Sequence, residues 1–155
     1  MRILVTSDTH GRETRLATLL RLHPEADALI FLGDGTRAAA AVVEEFPHVQ
    51  YYAVRGNNDL AGMEPDCREE FFSGQRVWMT HGHLHSAKRG LSRVIESARA
   101  CRADILLFGH THTALYRYED GVYILNPGSL GYGGNYGVLD ITAAGVAVHT
   151  AQIEC

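Results

Sequence analysis

The sequence predicts a single α/β domain in which helices flank a sheet that contains parallel strands. Its first half alternates short apolar runs with helical patterns, which is typical of βαβ units. Its final part contains paired strand patterns joined by short turns with Gly, which predicts antiparallel hairpins. The length of 155 residues is that of one domain, and 46% hydrophobic residues are enough to form a core. We therefore expect one domain over residues 1–155.

The βαβ pattern occupies residues 3–54. Continuous apolar runs predict buried strands, and apolar residues at i, i+3 and i+4, such as Leu16, Leu19 and Leu20, predict helices. The second helix starts at Thr36, whose hydroxyl we expect to cap it, and ends before Pro47. In chain order the pattern predicts a strand over residues 3–6, a helix over 13–22, a strand over 28–32, a helix from 36, and a strand over 49–54.

The rest of the chain begins with an irregular stretch over residues 60–70. This stretch predicts a surface loop, because it contains Gly62 and Pro65 and has no clear period. Beyond it, the apolar pattern predicts strands over 77–80 and 104–108, with a helix over 88–101 between them. Two hairpins then close the chain, and their strands are predicted over residues 114–118, 122–125, 136–141 and 146–153.

The charge and the cysteine content exclude several classes of protein. Lys and Arg number 14 and Asp and Glu 18, so the net charge of −4 provides no extended surface for nucleic acid or for an anionic membrane. There is no run of about 18 apolar residues, and neither a signal peptide nor a membrane span is predicted. The three cysteines are an odd number without CxxC spacing, which indicates free thiols and a cytoplasmic location.

Side chains of metal-binding types follow five of the predicted strands. Because ligands of α/β folds bind outside the carboxyl ends of the strands, we expect these distant residues to meet there. Donors without thiolates favour Mn, Fe, Zn, Ni or Mg. Residues at i and i+2 of an extended segment, as in Asp8-Thr9-His10 and His110-Thr111-His112, are expected to point the same way. Seven such side chains suit two ions that share one carboxylate: Asp8, His10, Asp34, Asn57, His81, His110 and His112.

Five short motifs follow one another in a specific order. They are Asp8-x-His10, Gly33-Asp34, Gly56-Asn57-Asn58-Asp59, His81-Gly82-His83 and Gly109-His110-Thr111-His112. In this order they resemble the five signature blocks of the calcineurin-like metallophosphoesterases, and most of all the small single-domain phosphodiesterases of bacteria and archaea. The resemblance spans residues 1 to about 140 and includes the segment Asn126-Pro127-Gly128-Ser129.

The resemblance implies a fold and a reaction that periodicity alone does not choose. The implied fold is a sandwich of two mixed β-sheets flanked by helices, whereas the periodicity fits a flavodoxin-like sheet equally well. The implied reaction is hydrolysis of a small phosphate ester, which we expect to be a phosphodiester. A hydroxide that bridges two divalent metal ions would attack phosphorus in line. Manganese is the ion expected first, with Ni, Fe, Zn or Mg as alternatives.

Carried over residue by residue, the resemblance also implies the roles of individual side chains. One ion is bound by Asp8, His10 and His112, the other by Asn57, His81 and His110, and both by the bridging Asp34. Catalytic roles fall to Asp34, Asn57, Asn58, Asp59 and His83. Substrate contacts fall to Asn58, His83, Arg55 and Arg12. His83 could instead orient a ligand, and either arginine could pair with a surface acid.

One position departs from the family pattern. Many metallophosphoesterases have histidine where this chain has Asn58, and asparagine cannot give up a proton near neutral pH. The identity of the general acid is therefore open. The segment Gly131-Tyr132-Gly133-Gly134 also lacks the basic residue that relatives often place there, which predicts fewer substrate contacts on that side.

Two other functions are weighed against hydrolysis. The vacuolar-sorting subunit of the retromer coat resembles this fold and serves as a protein-binding scaffold without turnover. Such a scaffold need not keep metal ligands, however, and here every ligand position matches. A nucleotide-binding domain is disfavoured, because the sequence has neither GxGxxG after the first strand nor GxxxxGK followed by Ser or Thr. The sequence leaves open the physiological substrate, the native metal and whether the chain forms a homo-oligomer.

Overall fold

Two five-stranded β-sheets lie at the centre of this computed structural model, which describes residues 1–154. In chain order the elements are β1 (Arg2–Thr6), α1 (Glu13–Leu22), β2 (Ala28–Phe31), α2 (Thr36–Val43), β3 (Gln50–Ala53), β4 (Cys67–Phe72), β5 (Gln75–Thr80), α3 (Ser92–Ala100), β6 (Ile105–Phe108), β7 (Leu115–Glu119), β8 (Val122–Asn126), α4 (Leu130–Gly133), β9 (Asn135–Thr142) and β10 (Gly145–Gln152). A 3₁₀ turn, His83–His85, lies between β5 and α3. Strands and helices alternate up to β3, as the sequence predicts.

Both sheets are mixed. In the first sheet, with the order β10-β9-β1-β2-β3, strands β1, β2 and β3 are parallel, and β9 of the final hairpin pairs antiparallel with β1. In the second sheet, with the order β4-β5-β6-β8-β7, the three central strands are parallel and the two edge strands are antiparallel to their neighbours. The prediction of two mixed sheets flanked by helices is confirmed, and the flavodoxin-like sheet is excluded.

The alternation of side chains along the strands divides the apolar residues between three cores. Ile3 and Val5 of β1 lie in the central core between the two sheets, whereas Leu4 lies in an outer core with α1 and α2. A third core packs α3 against the outer face of the second sheet. Because successive residues of a strand point to opposite faces, each central strand is held from both sides. The loops at the strand ends therefore start from fixed positions.

Two predicted elements have different bounds in the structure. The stretch predicted as a loop over residues 60–70 ends in β4, an edge strand that pairs antiparallel with β5. Periodicity does not predict this strand, because its charged residues interrupt the apolar pattern. Edge strands tolerate such charges, whereas central strands exclude them. The helix predicted over residues 88–101 begins only at Ser92. Before it, Ser86 adopts a left-handed φ of 54° and accepts a hydrogen bond from Arg89 N, which closes a separate turn.

The predicted N-cap of α2 is wrong. Gly35 occupies the N-cap position, and it has no side chain that could cap the helix. The hydroxyl of Thr36 instead donates to Glu64 Oε2 at 3.2 Å. Thr36 thus connects α2 to the loop that precedes β4.

Residues 1–154 include no helix with the length and apolar character needed to cross a bilayer. Cys67 and Cys101 are free thiols and are half-buried. Burial raises the pKa of the Cys67 thiol above its usual value. Cys155, the third thiol predicted to be free, lies outside the described residues.

An ion pair connects β1 to β9. Arg2 Nε and Nη2 donate to the two carboxylate oxygens of Asp140 at 2.8 and 3.0 Å, and the two residues are partners in the strand ladder. The hydrogen bonds from Arg2 hold the pKa of Asp140 below its usual value. Both side chains are partly exposed, so solvent screening limits the contribution of the pair to about 0.5–1 kcal/mol.

We predict that Asp140→Asn lowers the free energy of unfolding by about 0.5–1 kcal/mol at neutral pH, because the amide cannot replace the bidentate ion pair. The pKa of Asp140 is lower in the folded protein than in the unfolded chain, where it is about 3.9. The carboxylate therefore stabilises the fold above that pH, and its contribution is lost as the pH falls through the folded pKa. Urea unfolding of both proteins at a series of pH values measures the difference.

The difference between the parent and Asp140→Asn should shrink as the pH falls from about 7 to about 3. Glu96→Gln is the matched control, since Glu96 is an exposed acid that forms no ion pair among residues 1–154. It should change the unfolding free energy by less than about 0.5 kcal/mol at any of these pH values. A difference for Asp140→Asn that grows on acidification would contradict the assignment.

Candidate metal centre

Five loops that follow parallel strands meet at one end of the sandwich. Asp8, Asp34 and Asn57 follow β1, β2 and β3 of the first sheet. His81 and His110 follow β5 and β6 of the second sheet. A hydrogen bond joins the two sheets at this end, where His110 N donates to Asp8 Oδ2 at 3.2 Å. The structure thus brings together side chains that are distant in the sequence.

The first half of the cluster consists of Asp8, His10 and His112. Asp8 Oδ1 lies 3.1 Å from His112 Nε2 and 3.5 Å from His10 Nε2. The two imidazole nitrogens lie 3.2 Å apart. Asp8 is fully buried, and the histidines are half-buried at the rim. Three donor atoms from the first and fifth motifs therefore face one another.

The second half of the cluster is centred on His81. Its Nε2 lies 3.1 Å from Asn57 Oδ1, 3.2 Å from His110 Nδ1 and 3.6 Å from Asp34 Oδ2. The same nitrogen lies 3.9 Å from Asp8 Oδ1, which connects the two halves. All the side chains predicted as metal ligands are thus part of one continuous cluster.

The spacing and the charge of the cluster fit divalent ions. Ligand atoms about 2.0–2.2 Å from one ion lie about 2.9–3.6 Å apart along the edges of an octahedron or a tetrahedron. Asp8 and Asp34 are buried, and neither has a Lys or Arg partner within residues 1–154. A buried carboxylate is costly unless hydrogen bonds or positive charge compensate for its lost hydration, and a divalent ion would supply such charge. Two triplets hold their donor atoms within 4.8 Å of one another: Asp8, His10 and His112, and Asp8, Asp34 and His81.

Hydrogen bonding and burial keep two of the histidines in their metal-binding form. His81 Nδ1 lies 2.6 Å from the carbonyl oxygen of Leu32, which can only accept, so Nδ1 carries the hydrogen. The lone pair of neutral His81 therefore lies on Nε2, the atom that faces the other donors. Burial lowers the pKa of His110 to about 4, and positive charge on His81 and Lys88 acts in the same direction. His110 is thus neutral near pH 7, as a metal ligand must be.

The backbone is left-handed where the side chains converge. Asp8, His10, Asp34, His110 and His112 have φ values between 46° and 68°, a region that non-glycine residues occupy rarely and in which Asp and His are enriched. The expectation that the Asp8/His10 and His110/His112 pairs lie in extended segments is therefore wrong. Their side chains converge because the backbone curls. Such strained residues persist at functional sites when the surrounding contacts hold them in place.

Asp59 binds the backbone of the neighbouring loops. Its carboxylate accepts hydrogen bonds from four backbone N–H groups at 2.7–3.1 Å, those of Asp34, Gly35, Thr36 and Gly56. Burial by itself raises the pKa of Asp59, but the four donors outweigh burial and hold the pKa below its usual value. Ionised Asp59 therefore fixes the loop that carries Asp34. Its predicted catalytic role stays a prediction.

Asn58 and Arg55, which the sequence predicts to contact substrate, each bind an acid. Asn58 donates from its backbone N and from Nδ2 to the two oxygens of Asp34, both at 2.8 Å. Arg55 donates from Nε and Nη2 to Asp66 Oδ1 at 3.1 and 2.7 Å. Asn58 thus orients the carboxylate that is predicted to bridge two ions. Arg55 forms the surface ion pair that the sequence leaves open as an alternative.

The segment Asn126-Pro127-Gly128-Ser129 supports the loops of the first and fifth motifs. Asn126 Nδ2 donates to the carbonyl oxygen of Gly109 and to Thr111 Oγ1, both at 3.0 Å. Ser129 Oγ donates to the carbonyl oxygen of Asp8 at 2.9 Å. Both side chains are buried. The resemblance of this segment to the family thus corresponds to a structural role behind the cluster.

Tyr132 is a site residue to which the sequence assigns no role. Its ring stacks on that of His10, with centroids 5.0 Å apart, and lies 5.4 Å from that of His112. Arg12 donates to the carbonyl oxygen of Gly131 at 3.0 Å, and its guanidinium lies 5.9 Å from the Tyr132 ring. Arg12 therefore holds the segment that covers two candidate ligands. No periodic pattern marks a tyrosine between glycines, so the sequence carries no signal for this contact.

His83 lies beside the second half of the cluster and is half-buried. Its ring centroid is 5.4 Å from that of His81 and 6.1 Å from that of His110. Its Nδ1 is buried and has no hydrogen-bond partner among residues 1–154. Burial, together with positive charge on His81, lowers the pKa of His83. With Arg55 and Asn57 it lines a small cavity of about 180 Å³.

Comparison with protein-family models decides the family. The model of the calcineurin-like phosphoesterase superfamily domain matches residues 1–147. The chain belongs to this superfamily. The matched residues include every member of the candidate metal cluster.

Relatives at 30% identity or more include two bacterial proteins and a sorting protein. "Probable metallophosphoesterase YsnB" of Bacillus subtilis is 36% identical over 135 residues, which cover 84% of this chain and 75% of that protein. "Phosphodiesterase YfcE" of Escherichia coli is 30% identical and covers 90% of this chain and 88% of its own length. "Vacuolar protein sorting-associated protein 29" of Schizosaccharomyces pombe is 30% identical, and the match covers 83% of this chain and 72% of that protein.

A solved structure has the same architecture. A predicted phosphoesterase from Streptococcus pneumoniae superposes with a TM-score of 0.78 at 22% identity, and the superposition covers 97% of both chains. At this identity the likeness shows the fold alone. The two-sheet sandwich of this superfamily member is thus also the fold of this solved structure.

We predict that Asp59→Asn lowers the free energy of unfolding by about 1–2 kcal/mol at pH 7, because one neutral amide oxygen replaces the ionised carboxylate that accepts four N–H groups. The loosened loop should also weaken divalent metal binding by about 10- to 100-fold. Urea unfolding and metal titration measure the two effects. Asp120→Asn is the control, since Asp120 is an exposed acid outside the cluster. Parent-like metal affinity in Asp59→Asn would contradict the positioning role.

Proposed function

We propose that this chain is a dinuclear metal-dependent phosphodiesterase. The observation that carries the proposal is the continuous cluster around Asp8 and His81, in which oxygen and nitrogen donors lie 3.1–3.9 Å apart around buried carboxylates. Membership of the calcineurin-like phosphoesterase superfamily and the similarity to a protein named phosphodiesterase support it. The proposed substrate is a small phosphodiester, since the net charge of −4 offers no extended surface for nucleic acid.

The proposed division of the donors follows the family motifs. One ion would be held by Asp8, His10 and His112, the other by Asn57, His81 and His110, with Asp34 between them. Manganese is the proposed ion, with Ni, Fe, Zn or Mg as alternatives, because the donors are oxygen and nitrogen without thiolate. Two bound ions lower the pKa of water toward neutrality and neutralise charge on a phosphoryl group.

The protein's own groups orient the cluster and contact the substrate. Asn58 holds both oxygens of Asp34. We propose that His83 hydrogen-bonds an oxygen of the phosphate ester, since its ring lies beside His81 and His110 and lines the small cavity next to them. A phosphate contact by Arg55 or Arg12 would require each to exchange its present partner, Asp66 or a backbone carbonyl.

The alternative is a protein-binding scaffold without turnover. It is favoured by 30% identity to a vacuolar protein sorting-associated protein. The buried carboxylates Asp8 and Asp34 favour the enzyme, because burying two acids that pair with no Lys or Arg within residues 1–154 is costly unless a ligand compensates their charge. A cytoplasmic location is proposed for either function, on the basis of the thiol content.

Metal analysis combined with turnover separates the two functions. We predict that the purified protein binds two divalent ions per chain and hydrolyses bis(4-nitrophenyl) phosphate when Mn, Ni, Mg or Zn is supplied. Asp34→Asn should lower kcat/KM by at least about 100-fold, since it removes charge between the ions, and should leave the circular dichroism spectrum unchanged. Glu96→Gln, an exposed change outside the cluster, serves as the control. Absence of bound metal together with absence of turnover would favour the scaffold.

The dependence of rate on the leaving group tests the consequence of Asn58. Asn58 donates hydrogen bonds to Asp34, but its amide has no acidic proton that it could transfer to a leaving group. We therefore predict a steep fall in rate from esters of acidic phenols to alkyl esters. General acid catalysis is worth about 10²- to 10⁴-fold, so its absence should be visible across a series of phosphodiesters assayed under conditions where chemistry limits the rate. Asn58→His should flatten the dependence. A shallow dependence in the parent that steepens in His83→Asn would instead identify His83 as the proton donor.

A further inference from the structure

A larger cavity lies beside the loop that carries His110 and His112. Its volume is about 510 Å³, within the range of about 300–1,000 Å³ that small-molecule sites occupy. Thr111, which lies between the two histidines in the chain, is part of its wall, and Thr113 lies on its rim. This space, named the Lys88 cavity after its charged residue, is therefore continuous with the loop that carries two candidate metal ligands.

The Lys88 cavity combines apolar walls with a positively charged rim. Leu91, before α3, and Leu115, in β7, contribute half-buried apolar surface. The charged residues that line it are Lys88 and Arg117, and no acid among residues 1–154 lines it. Small-molecule sites are typically apolar with a few polar groups that fix orientation. The cavity therefore suits an apolar group that carries negative charge.

Lys88 is the cation that is available to a ligand. Arg117 is already paired with Glu119 at 3.3 Å. The exposed side chain of Lys88 makes no hydrogen bond or ion pair within residues 1–154. Lys88 lines the same cavity as Thr111, the residue between His110 and His112, so its side chain lies beside the loop that carries these two candidate ligands. Lys88 is also the only lysine of the sequence, in which every other residue counted as Lys or Arg is arginine.

We propose that the Lys88 cavity binds one organic ester arm of the substrate, an apolar group that carries a second anionic group against the ammonium of Lys88. This inference rests on the proposed phosphodiesterase function and narrows its substrates to phosphodiesters with an additional negative charge on one arm. The apolar walls bind the body of the arm. The ammonium, a compact point charge with three donors, binds its anionic end.

Two diesters with the same leaving group test the charge preference. They are 4-nitrophenyl phenyl phosphate and 4-carboxyphenyl 4-nitrophenyl phosphate, which differ by one carboxylate. A charge-assisted hydrogen bond is worth about tenfold in affinity, so the KM of the Mn-loaded parent should be about tenfold lower for the carboxylated diester. Lys88→Met keeps an unbranched apolar stem, removes the charge and should abolish the preference.

Arg89→Ala is the matched control for charge. Arg89 is the next residue in the chain, is exposed and carries the same charge, but does not line the Lys88 cavity. The variant should keep the preference for the carboxylated diester. Equal KM values for the two diesters in the parent would overturn the proposal, and so would loss of the preference in Arg89→Ala.

Amine acylation tests the same contact without turnover. A sulfonated N-hydroxysuccinimidyl acetate acylates Lys88 and the α-amino group of Met1, because the chain has one lysine. The Met1 amine, bonded to Ile141 O at 2.9 Å in the first sheet, is the internal reference. 4-Carboxyphenyl phenyl phosphate, a diester with poor leaving groups, should slow the acylation of Lys88 about tenfold at ten times its dissociation constant. Diphenyl phosphate should protect Lys88 much less.

Mass spectrometry of the acylated protein measures both amines in one sample. Equal acylation of Lys88 with and without the carboxylated diester would overturn the proposal. If no diester is hydrolysed with any metal, the proposed function fails, but the acylation experiment still decides whether the Lys88 cavity binds an anionic arm. The two failures are therefore distinguishable.

Discussion

Two buried carboxylates that pair with no Lys or Arg within residues 1–154, Asp8 and Asp34, impose the constraint on which the rest of the structure depends. Taking a carboxylate out of water is costly unless hydrogen bonds or positive charge compensate for it. Within residues 1–154 the compensation comes from hydroxyl, amide and imidazole groups, and no guanidinium or ammonium pairs with either acid. The loops of both sheets are arranged around this requirement.

The left-handed backbone of these loops is held by contacts that lie behind the donors. Asp59 accepts hydrogen bonds from four backbone N–H groups. Asn126 and Ser129 donate hydrogen bonds to carbonyl oxygens of the fifth and first motifs. Each strained residue costs of order 1–3 kcal/mol, so a loop without such support would relax and separate the donors. The geometry of the site thus depends on the residues around the cluster as well as on the donors themselves.

The five loops that meet at the cluster could be predicted from the sequence, whereas the predicted roles of their side chains stay predictions. A metal-type residue directly after each apolar run marks the end of a buried strand, so local sequence is enough to identify the loops that meet. Strand β4 is not predicted by its periodicity, because it carries charged residues, which an edge strand tolerates. The left-handed turn at Ser86 and the stacking of Tyr132 on His10 depend on tertiary contacts, which no local pattern encodes.

The division of the donors between the two sheets has a thermodynamic consequence. Asp8, Asp34 and Asn57 extend from one sheet, and His81 and His110 from the other. A ligand that is held by both sets binds only while the sheets are packed together, so by linkage its binding free energy adds to the stability of their interface. The apolar packing between the two sheets stabilises their contact but is non-directional. A bound ligand would thus add a directional interaction between the two sheets at one end of the sandwich. That end would loosen first when the ligand is withdrawn.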